Sequence, residues 1–204
     1  PYHVTDDVKI PNGVVFKVEP GVSIYVNEGL KIEVEGTALV EGDLNRRIYF
    51  SHLPGSQFVN DDAGNGGLPD APPKWKGLKL LNTLDEDNII KHADFDSAQD
   101  EEGAIGVLNS QCIIDDVSFN RTHIRMIYTE DASVIIRNTK FPDMFSESEG
   151  PAELGLDNIS EHIKGIGEIP SGGRYIIRDN FFGSNKGHND VIDVDSGWRP
   201  NPIL

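Results

Sequence analysis

The chain has 204 residues, with 34 acidic against 18 basic side chains, a formal net charge of -16 and 37% hydrophobic content. That length and apolar content suit one domain with a sizeable core, or two small ones, and exclude a wholly disordered chain. The negative field works against nucleic-acid partners, the single Cys112 excludes an intrachain disulfide or multi-cysteine zinc site, and no apolar run nears the roughly 20 residues that span a bilayer.

In chain order, the first third reads as short alternating strands at Val14-Val18, Ser23-Val26, Leu30-Val34 and Ala38-Val40. The turn pairs Asn12-Gly13, Pro20-Gly21 and Glu35-Gly36 separate them. The alternation places Lys17, Glu19, Lys31, Glu33 and Glu35 on outward positions. A further strand is expected at Ile48-Ser51. Residues 53–74 are rich in Gly, Pro, Asn and Asp and read as a first long loop insertion, followed by a strand at Trp75.

The remainder repeats itself. NIIKHADF from Asn88, CIIDDVSF from Cys112, VIIRNTKF from Val134 and YIIRDNFF from Tyr175 align without gaps, their starts 24, 22 and 41 residues apart. Each carries two isoleucines and ends on phenylalanine: Phe95, Phe119, Phe141 and Phe182. A period in the low twenties built on short strands fits the rung of a parallel β-solenoid, whose repeats stack like residue on like residue. The fifth position of each segment (His92, Asp116, Asn138, Asp179) falls at a bend. Asn and Asp suit such bends because they tolerate left-handed backbone geometry, and His92 suits its place least well. Residues 142–173 read as a second long insertion, with a short helical piece around Asn158-Lys164. Pro202-Ile203-Leu204 reads as the start of another strand.

The stretch HVTDDVKIPNGVVFKVEPGVSIYV, then GLKIEVEGTALVEG, then Trp75-Lys76-Gly77-Leu78-Lys79-Leu80, resembles secreted bacterial right-handed parallel β-helix repeat proteins of pectate-lyase-like architecture. The resemblance covers nearly the whole chain and concerns architecture rather than activity. It implies an all-β, right-handed parallel β-helix, one domain over 1–204; because a solenoid needs its last rung capped, the strand start at Pro202-Ile203-Leu204 points to the N-terminal part of a longer solenoid with further C-terminal coils or domains, the alternative being another chain that covers the end. It also implies a secreted or cell-surface bacterial location.

Candidate sites cluster near the C-terminus. In Gly187-His188-Asn189-Asp190-Val191-Ile192-Asp193-Val194-Asp195-Ser196-Gly197 no EF-hand spacing is present, since Gly197 stands at the third ligand position. With Ile192 and Val194 inward, Asp193 and Asp195 share the outer face about 7 Å apart. Calcium is the cation they would take, with Asn189 and Asp190 as further ligands, as Asp clusters do in pectate-lyase-like enzymes. The alternative is a solvated acidic face. A pair of inverting-glycosidase carboxylates also fits that spacing, but the family's N-x-D and G-H-G motifs are missing.

A lyase needs a basic side chain beside the cation. Arg178, Lys186 and Arg199 are the candidates, with Arg137 matching Arg178 one repeat earlier; the alternative is that they neutralise nearby acids. Trp198 could stack on a sugar ring or pack at the rim. Trp75 and Cys112 are expected in the core. The six histidines lack zinc-site spacing. No complete catalytic constellation is present. The expected function is an extracellular structural or carbohydrate-binding module, calcium-stabilised, with polysaccharide as partner and no membrane insertion. A fragment of a polysaccharide lyase or glycoside hydrolase acting on anionic polysaccharide is the alternative.

Overall fold

The computed structural model describes residues 1–52, 74–120, 125–142, 161–183 and 191–195. Among them every regular element is a strand. The first seven are β1 (Tyr2–Val4), β2 (Val8–Ile10), β3 (Val15–Val18), β4 (Ser23–Val26), β5 (Lys31–Val34), β6 (Thr37–Glu41) and β7 (Ile48–His52). The next six are β8 (Gly77–Leu81), β9 (Ile89–Asp96), β10 (Ile105–Leu108), β11 (Gln111–Asn120), β12 (Arg125–Glu130) and β13 (Ser133–Arg137). The last five are β14 (Lys140–Phe141), β15 (Glu161–Ile166), β16 (Tyr175–Arg178), β17 (Phe181–Phe182) and β18 (Ile192–Asp195).

All pairings between these strands are parallel. One sheet has seven strands in the order β2-β5-β8-β10-β12-β15-β18, and the other has eleven. The larger sheet has two limbs. β9 pairs β6 through Ile89–Lys91 and β7 through Ala93–Phe95, with His92 between. The first limb therefore holds β3, β6, β13, β16 and the leading halves of β9 and β11. The second holds β1, β4, β7, β14, β17 and the trailing halves.

The repeat sets both limbs. Of each isoleucine pair, the second faces in: Ile90, Ile114 and Ile136 are fully buried. The terminal phenylalanines stack inside the second limb. Ring centroids lie 4.8 Å apart for Phe50 and Phe95, 5.5 Å for Phe119 and Phe141, and 4.7 Å for Phe141 and Phe182. Trp75 lies beside this column, 6.1 Å from both Phe50 and Phe95, and donates its indole N–H to the Asp96 carbonyl. In the smaller sheet Val8, Ile32, Leu78, Ile105, Ile127, Ile163 and Ile192 form one inward ladder. Cys112 is buried in the core, as expected.

The fifth-position residues take the left-handed backbone that the alignment calls for. φ is +49° at His92, +51° at Asp116, +54° at Asn138 and +57° at Asp179. A second row of bends carries no repeat signal in the sequence. Asn82, Asn109 and Asp131 have φ of +54°, +45° and +47°, each just after a strand of the smaller sheet. Asn109 donates to the Asn82 side-chain oxygen at 3.0 Å, so the bends are laced to one another.

Two expectations are corrected. The helical piece around Asn158-Lys164 is not a helix over 161–164, where the chain enters β15 between β12 and β18. Ile163 has to supply the inward ladder there, and alternation along a strand does that while a helical turn does not. For the same reason the insertion placed at 142–173 contains a strand of the smaller sheet; residues 143–160 lie outside the described residues, as do 53–73 of the first loop. The outward charges stand as expected, with ion pairs Lys9–Glu35 at 2.7 Å, Lys17–Glu19 at 2.8 Å and Lys31–Glu33.

Candidate functional site

Among the described residues a dense polar constellation lies on the outer face where the two limbs meet. Arg47, just before β7, reaches across two neighbouring strands. Its Nε donates to both oxygens of Asp94, at 2.9 and 3.0 Å. Nη1 donates to Asp116 Oδ2 at 2.9 Å, and Nη2 to the Ala93 and Asp116 carbonyls. The planar fork of arginine suits this many acceptors at once, as an ammonium would not.

The network continues at both ends. Ser118 donates to Asp94 Oδ1 at 2.5 Å, and His92 Nδ1 lies 2.6 Å from Asp116 Oδ2. A carboxylate only accepts, so Nδ1 carries the proton of this bond. The side chains of Arg47, Asp94, Asp116 and His92 are 28%, 29%, 22% and 15% exposed, so a ligand can reach them.

Aromatic rings flank the network on the same limb. His3 and Tyr25 meet edge-to-face at 5.7 Å, Tyr25 and Tyr49 at 6.4 Å, and the Tyr49 hydroxyl donates to Asp96 at 2.7 Å. Register places Tyr49, Asp94, Ser118 and Lys140 in one outward row, one residue per strand. Hydrogen-bonding groups thus recur at the strand spacing of about 4.8 Å. The sequence hint is His92, the odd member of its column; Arg47 leaves no signal, because its partners lie 47 and 69 residues away.

The residues predicted from sequence are only partly brought together. Asp193 and Asp195 do share the outer face of β18, while Ile192 and Val194 continue the inward rows. Lys164 of β15 stands against both aspartates, 2.5 Å from Asp193 and 2.8 Å from Asp195. Burial opposes the charge on Lys164, but the hydrogen bonds it donates to these carboxylates outweigh that and hold its pKa above the ordinary lysine value. The one ammonium thus already offsets half of the pair's charge. Among the described residues no group of three or more His, Cys, Asp or Glu is placed to hold a metal.

Arg178 is exposed, and among the described residues its carboxylate neighbour is Asp179, 3.9 Å away. It follows Arg137 in register, as the alignment predicts. It stands on the larger sheet and Asp193 on the smaller, so the two do not meet in a pair. Asn189, Asp190, Lys186, Trp198 and Arg199 lie outside the described residues.

One buried cation has no counterpart among the sequence expectations. Lys79 points outward from β8, yet its side chain is fully covered by the turn at Asp100–Gly103. Its ammonium donates to the Glu102 carbonyl at 2.9 Å and to the Gly103 carbonyl, with Asp100 at 3.3 Å. Burial pushes its pKa down to about 8, against the pull of Asp100. With no access from solvent, Lys79 serves as a clamp on the turn.

A pH signature follows from this. The depressed value belongs to the folded state, so above pH 8 and up to 10.5 the unfolded chain binds this proton more tightly, and stability rises with pH. Lys74, desolvated in part, acts in the same direction. Cys112 acts oppositely above pH 9, because burial raises its folded value to about 12. Unfolding free energy is expected to climb by about 1 kcal/mol between pH 8 and 9 and then level. Urea titrations of the chain and of Lys79→Met across this range check it; an equal slope in the variant would assign the rise elsewhere.

Comparisons with protein-family models, curated proteins and solved structures give no match to this chain.

Proposed function

We propose that this chain is a right-handed parallel β-helix module of the secreted or cell-surface bacterial kind, and that it binds carbohydrate without cleaving it. The parallel sheets and the two rows of left-handed bends support a solenoid path. The observation that carries the binding reading is the outward row Tyr49, Asp94, Ser118 and Lys140, set beside the His3–Tyr25–Tyr49 aromatic wall. Carboxylate, hydroxyl and ammonium groups hydrogen-bond sugar hydroxyls, and aromatic rings cover sugar C–H faces. The Arg47 network holds Asp94 in place before a ligand arrives, which lowers the ordering cost of binding.

Affinity electrophoresis against neutral and uronate-containing polysaccharides, with calcium and with EDTA, tests this. Retardation is expected for at least one polysaccharide, with Tyr25→Ala together with Asp94→Asn weakening it about tenfold or more. Retardation with calcium alone would bring the calcium-dependent form of the reading forward. Release of unsaturated or reducing sugar ends would replace it with the lyase or hydrolase alternative. No retardation by any polysaccharide would remove it.

A further inference from the structure

The first limb has an outer face that the core does not explain. Leu39, Ile89, Ile113, Ile135 and Ile176 form an in-register row on the solvent side, each only partly buried. These include the first isoleucine of every aligned repeat. On one side of the row lie polar residues such as Gln111 and Ser133, which with Ile113, Ile135 and Arg174 line a shallow groove of about 260 Å³. On the other side runs a charged row. Register joins Glu41, Lys91, Asp115, Arg137 and Arg178 in that order, and Glu19, the residue after β3, precedes Glu41; within the chain Asp115 is largely buried and accepts from Arg137 at 2.8 Å, and Glu19 pairs with Lys17.

The signs along that row read minus, minus, plus, minus, plus, plus. Reversed, every sign changes. We propose that this face docks a second copy of the same chain, sheet on sheet, about a two-fold axis parallel to the strands and midway between β9 and β11. That operation sets Glu19 against Arg178 of the second copy, Glu41 against its Arg137, and Lys91 against its Asp115, each pair occurring twice. It also lays Leu39 on Ile135 of the second copy and Ile89 on its Ile113, while Lys17, which extends the row beyond Leu39, falls on its Ile176. Stacked sheets sit about 10 Å apart, close enough for the apolar rows to meet and the longer charged chains to pair.

The register is selected, not merely allowed. A slip of one strand in one direction brings Glu41 against Asp115, and in the other direction Lys91 against Arg137. Both slips put like charges together at the rim of an apolar contact, where repulsion is costly. A chain of net charge -16 would otherwise repel its own copy, so a locally antisymmetric row is what lets this face approach itself. Isologous contacts of this kind are the commonest closed assembly.

Sedimentation equilibrium over a range of concentrations decides the matter. The expected result is a concentration-dependent dimer with Kd on the order of 10–100 µM, as suits a small interface. Arg178→Glu should raise Kd about tenfold, and adding Glu19→Arg to it should restore the original value, since the swapped pair is again complementary. Both residues are exposed, so folding is not at stake. Ile113→Lys should abolish the dimer. A chain that stays monomeric throughout, or a dimer insensitive to Arg178→Glu or not rescued by the swap, overturns the proposal.

Discussion

Phe95→Ala is expected to lower the unfolding free energy by about 3–5 kcal/mol. Phe95 is fully buried and stands mid-column, 4.8 Å from Phe50, 6.0 Å from Phe119 and 6.1 Å from Trp75. Truncation removes its own burial and leaves a void between rings that backbone hydrogen bonds hold at fixed strand spacing. The neighbours cannot close over that void, because moving them would break the parallel ladders on both sides. Each aromatic pair also loses about 0.5–1.5 kcal/mol beyond its buried area. Phe181 is the control. It is 67% exposed at the far edge, and Phe181→Ala should cost less than about 0.5 kcal/mol. Urea unfolding of both variants checks the contrast, and equal losses would mean the column does not carry the core.

Gly77→Ala is expected to cost at least about 3 kcal/mol despite adding only a methyl group. Gly77 opens β8 with φ of +92°, and a Cβ there would sit 2.3 Å from the Ala104 carbonyl oxygen. That oxygen is itself fixed, because it accepts the Leu78 N–H at 2.9 Å. The variant must therefore change its backbone angle and move the incoming strand β10 together. Thermal melts should show this loss in Gly77→Ala and much less in Gly172→Ala. Gly172 has a similar positive φ of +79° but nothing within 4 Å of its Cβ position, so backbone strain alone accounts for its cost. Equal losses at the two glycines would leave the close approach without effect.

Phe95 and Gly77 differ in how far the amino-acid sequence alone explains them. The aligned segments identify the phenylalanine column, because only stacking gives identical residues at a period in the low twenties a shared environment. They also locate the left-handed bends at Asp116, Asn138 and Asp179, and His92 takes the same conformation despite suiting it least. The Trp75–Leu80 motif is legible as a pattern, but its physical content lies in the packing. Trp75 closes the aromatic column, Gly77 permits the approach of Ala104, and Lys79 clamps the following turn.

The bends at Asn82, Asn109 and Asp131 escape the sequence pattern because they follow strands whose sequences do not repeat. Lys164 escapes as the partner of Asp193 and Asp195 because it lies in a segment that reads as an insertion, about 30 residues upstream. The Arg47 network is invisible for the same kind of reason: a side chain that bridges strands far apart in the chain leaves no local spacing.

What the sequence determined by itself is the one-dimensional part of this protein: strand after strand, with inward residues at alternate positions and bends where a residue tolerates positive φ. Those features follow from local backbone preference and hydrophobic alternation, which act over a few residues. Which outward side chains meet was decided only by the stacking of one pass of the chain on the next. Lateral register turned Asp193 and Asp195 into partners of Lys164, drew His92, Asp94, Asp116 and Ser118 around Arg47, and ordered Glu41, Lys91, Asp115, Arg137 and Arg178 into a single row. Side-chain electrostatics depend on distances of a few ångströms, and between residues on different strands the tertiary fold sets those distances.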